Sequence, residues 1–186
     1  MRLSRAYVAE GIVLKRSNVG EADRILTVFT KQYGKIRVIA KGVRRITSRR
    51  AGHIEVFTRV ILTLHSYKNL DIVTEAQAIT RGTIFETDMA RVGYAYCMCE
   101  LVDQLLAERQ EHEDVYFLLR DGLEQLQTNI DPNSWQTAVS HFVHHLLWKL
   151  GFLSFSRRLP EEKMRSYVEH ITERKLRAWP VLTRVV

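Results

Sequence analysis

Lys35-Ile36-Arg37-Val38-Ile39-Ala40-Lys41 alternates without interruption: Ile36, Val38 and Ala40 fall on one face, Lys35, Arg37, Ile39 and Lys41 on the other. A two-residue period marks a half-buried strand, because successive side chains of a strand point to opposite faces of its sheet. The stretches on either side carry the same signature. Ala6–Arg16 contains Val8, Ile12, Val13 and Leu14, and Asp23–Thr30 is rich in β-branched residues. Val56–Leu64 sets Val56, Thr58, Val60, Leu62 and Leu64 in one alternation, and Leu70–Ala76 follows the turn-like Ser66-Tyr67-Lys68-Asn69. Five short strands of this kind predict a small closed barrel, for which the OB-fold is one five-stranded solution. On that barrel Ile36 and Val38 face inward, and Lys35, Arg37 and Lys41 face outward.

Beyond residue 82 the apolar period lengthens to that of a helix. Met89–Glu108 sets Val92, Tyr96, Cys99, Val102 and Leu106 three and four apart, and Asp114–Gln127 carries Val115, Leu118, Leu119, Leu123 and Leu126. A third helix, Trp135–Leu150, is expected to be capped by Asn133 or Ser134 and stopped at Gly151. A fourth opens at Pro160-Glu161-Glu162, a first turn that suits the helix dipole, and runs to about Ala178 ahead of Pro180. The expected fold class is α+β. It comprises an N-terminal OB-fold barrel over residues 1–80 and an all-α bundle over residues 81–186.

Charge divides along the same line. The 186 residues carry a net charge of +7, but residues 1–80 hold 15 Lys or Arg against 6 Asp or Glu, and residues 81–186 hold 13 against 15. Such asymmetry points to a nucleic-acid-binding part joined to a part with another task. From Lys31 to Arg50 there are eight cations and no acid, and five of the eight are Arg, whose planar fork matches phosphate. Gly42–Gly52 lacks alternation and reads as a basic loop that orders on a polyanion. Hydrophobic residues at 46%, charged residues at 26% and three prolines exclude collagenous and low-complexity chains. No apolar run reaches the roughly 18 residues of a membrane-spanning helix, and the first ten residues lack a signal-peptide core, so a cytoplasmic location is expected.

Catalytic readings find little support. Gly34-Lys35 lacks the upstream glycine and following Ser or Thr of a phosphate-binding P-loop, and no Gly-x-Ser-x-Gly elbow occurs. Glu21 and Asp23 are the one opening for a nuclease metal, though a structural role at a strand entrance is the expectation. His141 and His145 share a helical face, with His144 beside them. Two ligands from one turn lack a third, so helix packing is expected and no metal. Cys97 and Cys99 are too few for a disulfide framework or a four-cysteine zinc site and read as reduced and buried. No catalytic residue and no cofactor is expected.

Motifs sharpen this outline. Glu10-Gly11-Ile12-Val13-Leu14-Lys15, Gly20-Glu21-Ala22-Asp23-Arg24-Ile25-Leu26, Thr30-Lys31-Gln32-Tyr33-Gly34-Lys35-Ile36 and Ala40-Lys41-Gly42-Val43-Arg44-Arg45 with Ser48-Arg49 resemble the start of the bacterial RecO family. The likeness is dense over residues 7–76 and thinner through Tyr94–Leu106 and Tyr167–Arg177. It implies a non-enzymatic mediator of DNA repair and recombination that binds single- and double-stranded DNA and anneals complementary strands. It also implies work with RecR to load RecA onto DNA coated by single-stranded-DNA-binding protein. The acidic tail of that coating protein would dock on the helical domain, here around Trp135–Lys149. A bacterial, nucleoid-associated cytoplasmic location follows. Many members carry a four-cysteine zinc module before the last helix. Leu150–Arg157 passes straight on, so this is a short form for which zinc is not expected.

Lys15, Arg24, Lys35, Lys41, Arg44, Arg45 and Arg49 stand at matching family positions and are expected on DNA phosphates. Charge patterning alone adds Arg37 and Arg50. Tyr33 is the expected base-stacking aromatic, ahead of Tyr67 and of Phe57, which reads as core. Phosphate contacts carry no sequence information, so binding should be largely sequence-independent. An OB-fold RNA-binding protein is the alternative, with a metal-dependent nuclease behind it.

Overall fold

β1 (Ala6–Val19) is long enough to serve two neighbours, and one extra residue lets it do so. Its first half pairs antiparallel with β4 (Arg59–His65), from Ala6↔His65 to Ile12↔Arg59. From Gly11 onward it pairs with β2 (Asp23–Thr30), and the register slips between Val13 and Lys15. Such a bulge bends a strand and tightens its twist. β3 (Gly34–Ala40) continues from β2, and β5 (Asp71–Thr80) closes the order β1-β2-β3-β5-β4 into a barrel. This is the OB-fold barrel expected from the sequence. The structure, a computed structural model, describes residues 6–46, 48, 50–82, 88–129, 131–154 and 156–179.

The barrel interior is filled from alternate positions: Leu26 and Val28 of β2, Ile36 and Val38 of β3, and Val60, Leu62 and Leu64 of β4 are all 0–1% exposed. β4 starts three residues later than the alternation from Val56 predicts. Phe57 adopts a left-handed φ of 68°, which breaks the extended run, and its N–H donates to Val13 O at 2.9 Å. Phe57 itself is core, as expected. Among its described residues, the Gly42–Gly52 segment is more built than a free loop. Val43 is fully buried, and a short 3-10 turn over Ala51–His53 leads on to the buried Ile54.

The chain divides into two units, Met1–Gly82 with Ala107–Glu113, and Thr83–Leu106 with Asp114–Val186. The return of residues 107–113 to the first unit departs from a boundary at 80. β3 and β5 pair only at Val38↔Asp71 and Ile39↔Ile72. The edge of β3 before them is taken by the incoming strap: Lys35 bridges Glu108 in parallel, and Arg109 N–H donates to Lys35 O at 2.8 Å. Lys31 and Glu113 pair at 3.3 Å.

The second unit holds α1 (Met89–Leu105), α2 (Glu113–Thr128) beyond its first residue, α3 (Pro132–Lys149) and α4 (Glu161–Thr172). α1 packs against α3 and is buried on most sides, so Tyr94, Ala95, Met98 and Leu101 join Cys99 and Val102 inside, whereas Tyr96 is exposed. Burial pushes both cysteine thiols well up, as suits inert core residues. α3 begins three residues before Trp135, because Pro132 is a good first-turn residue, so Ser134 lies inside the helix. Gly151, at φ 79°, ends that helix as expected. α4 stops at Thr172 rather than near Ala178. Glu173 turns left-handed, the Glu169 carboxylate takes the Leu176 N–H, and Glu100 takes those of Arg177 and Ala178 at 2.9 and 2.8 Å. Side-chain acceptors replace the carbonyls a longer helix would have used. Pro180 lies outside the described residues.

Candidate nucleic-acid interface

Two turns of the barrel unit are tied together by hydrogen bonds. Arg44 N–H donates to Ala22 O at 2.9 Å, the Arg44 guanidinium reaches Gly20 O at 3.1 Å, and the Asp23 carboxylate accepts Gly42 N–H at 2.7 Å. Asp23 thus acts as a structural acceptor at the strand entrance. Among the described residues no three His, Cys, Asp or Glu side chains gather as metal ligands. The tie holds Lys41, Arg44 and Arg45 together in solvent on the turn after β3. Lys15 and Arg37 lie in one cross-strand row through Thr27, share the outer face and are both exposed.

Three cations expected on DNA are placed otherwise. Lys35 is 7% exposed, beneath the strap that reaches its backbone, so the outer face of β3 opens to solvent only from Arg37 onward. Arg24 belongs to the inward-facing set of β2. With Arg16 it binds Glu55 at the barrel mouth, its own distance being 3.0 Å, and it also donates to Asn18. Arg50 is a staple: its guanidinium donates to Val73 O at 2.6 Å and Lys41 O at 2.8 Å. Arg49 lies outside the described residues.

Tyr33 sits at the far end of β3 from the cationic turn, edge-on to Tyr7 with ring centroids 5.0 Å apart. Tyr7 leads to a buried carboxylate that takes three hydrogen bonds. Asp71 is 4% exposed and accepts from Tyr7 Oη at 2.6 Å, from the Arg109 guanidinium at 3.0 Å and from Tyr67 N–H at 3.2 Å. Tyr67 is 66% exposed, with Lys41 Nζ 5.9 Å above its ring. Arg109 was invisible to the strand pattern. Its one local signal is the polar run Glu108–Glu113 between two helical periods.

Burial alone would raise the Asp71 carboxyl. The bonds from Tyr7, Arg109 and the Tyr67 amide outweigh it, so the group lies below the usual carboxylate range. Burial, then Asp71, raise the Tyr7 hydroxyl. A depressed folded value means the unfolded chain takes up the Asp71 proton first. The contribution to stability is therefore full above the unfolded value, about pH 4, and is lost as pH falls through the folded one. Asp71→Asn is expected to cost about 1–3 kcal/mol near neutral pH and to shrink the acid-side loss of stability. Urea denaturation near neutrality and near pH 3 checks it, and an equal acid loss in both proteins would refute it.

In the helical unit, α3, Ser154, residues 157–159 and α4 enclose a cleft of about 400 Å³. Trp148, Leu159 and Met164 supply apolar wall, and His141, Arg157 and Arg158 supply polar and cationic groups. Glu161 also lines it, its carboxylate engaged by Ser140 and Gln136. His144 is structural: Nε2 accepts Leu159 N–H at 2.9 Å, and Nδ1 lies 2.9 Å from Ser140 O.

By strand order and closure this is an OB-fold protein, its barrel carrying a cationic turn and followed by a helical unit. Residues 1–81 match the family described as Recombination protein O N terminal, and residues 86–154 match Recombination protein O C terminal. The chain belongs to the RecO family. It is 38% identical over 148 residues to the DNA repair protein RecO of Roseiflexus sp. (strain RS-1), covering 80% of this chain and 51% of that one. It is 36% identical over 147 residues to that of Symbiobacterium thermophilum, with 78% and 57% covered. For Trichodesmium erythraeum the figures are 33% over 151 residues, 80% and 52%. The chain thus spans about half the length of the curated relatives it matches.

Proposed function

We propose that this chain is a DNA repair and recombination mediator that binds single- and double-stranded DNA and anneals complementary strands without chemical turnover. The observation that carries the reading is the exposed Lys41, Arg44 and Arg45 turn, locked to the β1–β2 turn on a barrel of the RecO family. Cations held this way neutralise phosphates of two strands at once, which lowers their repulsion and leaves base edges free to pair. Lys15 and Arg37 extend the phosphate-binding face. RecR, and RecA through it, are the proposed protein partners, in the cytoplasm. The helical cleft, with apolar wall and cationic rim, is the proposed seat for the acidic, apolar-ended tail of the single-stranded-DNA-binding protein.

The test is annealing of complementary oligonucleotides, bare and coated with the cognate single-stranded-DNA-binding protein, with and without magnesium. Faster annealing of intact strands in both forms is expected. Annealing of bare strands alone would remove the tail contact from the proposal. Shortened strands would make the chain a nuclease, and equal action on RNA would favour an RNA-binding protein.

A further inference from the structure

We propose that Tyr67, Arg109 and Tyr33, gathered around Asp71, form a track for unpaired bases that makes the barrel discriminate single from double strands. The proposal rests on the DNA-binding reading above and adds what the phosphate-binding turn lacks, a reason to prefer one form of DNA. A single buried carboxylate fixes the arrangement. Asp71 anchors the Tyr67 amide, the Arg109 guanidinium and the Tyr7 hydroxyl, and the Tyr7 ring in turn supports Tyr33 edge-on.

The groups so fixed keep their useful surfaces open. Tyr67 is 66% exposed and Tyr33 36%, and the Arg109 side chain remains 63% exposed while bonded to Asp71. Two phenol rings and a guanidinium plane are the surfaces on which bases stack. The acid that gathers them is 4% exposed and held by Arg109, so it presents little charge to a passing phosphate. Lys41 links the track to the cationic turn, because its ammonium lies over the Tyr67 ring and its residue begins that turn. A strand whose phosphates lie on Lys41, Arg44 and Arg45 therefore has Tyr67 as the first ring beside it. Stacking needs a free base face, which a duplex denies along its length. The ligand is unpaired nucleic acid, selected by ring faces rather than by sequence.

The experiment measures fluorescence anisotropy of a labelled oligonucleotide, single-stranded and as its duplex, over a range of salt, with the full chain. Tyr67→Leu is expected to weaken single-strand binding roughly tenfold to a hundredfold, with duplex affinity and the salt slope unchanged. Tyr33→Leu should act in the same direction, and Tyr67→Phe should bind as the parent. Arg109→Gln should weaken single-strand binding as well. Folding of each variant is checked by urea denaturation, and Tyr67→Phe keeps the test open if a leucine variant unfolds: selective loss there would also overturn the track, since its ring is intact. Leucine variants that bind as the parent, or lose both DNA forms equally, overturn the track and leave phosphate binding standing. A parent that binds neither form refutes the DNA-binding reading itself.

Discussion

Gly34→Ala is expected to destabilise the barrel unit by roughly 2–6 kcal/mol, from about 1–3 for left-handed strain and about 1–3 for overpacking. Gly34 has a φ of +63°, and an added Cβ would lie 1.9 Å from Gln110 O and 2.5 Å from Gln110 C. Both are backbone atoms of the strap, so no side chain can swing aside to relieve the clash. The strap must leave the β3 edge, or β3 must shift. Leaving breaks the Arg109 N–H bond to Lys35 O and uncovers Lys35. Gly20→Ala is the matched control, with a similar φ of +56° and nothing within 4 Å of its added Cβ. It carries the conformational strain alone. Denaturation midpoints should separate the two variants clearly, and trypsin should cut faster after Arg109 in Gly34→Ala only. Equal midpoints and equal cutting would show that the strap yields without cost.

The contrast between local and distant information explains what the sequence made legible. β2 was readable to the residue as Asp23–Thr30, and the inward set of β3 was readable because alternation assigns faces directly. Alternation cannot say what covers the other face. Lys35 was expected outside and is covered by residues more than seventy positions downstream, in a stretch with no period of its own. Arg50 and Arg24 illustrate the same limit for charge. A run of cations shows where positive charge is concentrated, but each guanidinium is free only if no carbonyl or carboxylate folds back to it. For these two, Val73, Lys41 and Glu55 do. Helix ends failed for a related reason. The carboxylates of Glu100 and Glu169 capture amides beyond Thr172, and neither acid is adjacent in sequence to the amides it takes.

The difference between guanidinium groups stapled into the fold and those that stay in solvent, Arg44 with only an exposed bond to Gly20 O, sets the second large effect, on DNA rather than on stability. The double variant Arg44→Ala with Arg45→Ala is expected to bind all DNA sequences about ten- to a hundredfold more weakly at low salt, with the loss shrinking as salt rises. Its plot of log affinity against log salt should flatten by about 1.4 for single strands and about 1.8 for duplex, two phosphate contacts at about 0.7 and 0.9 each. Folding should survive, because the bonds that shape the turn come from backbone: Arg44 N–H to Ala22 O, Arg45 N–H to Gly42 O and Ser48 N–H to Arg45 O. The one side-chain bond lost, from Arg44 to Gly20 O, is exposed. Arg50→Ala supplies the opposite case. It removes two short bonds that tie the loop to β5 and to Lys41, so it should lower the denaturation midpoint and leave the salt slope nearly unchanged in the folded protein. A double variant with the parent's slope would move the phosphate-binding face away from this turn. An Arg50→Ala slope as flat as the double variant's would mean that this staple opens on binding and that all three arginines meet phosphate.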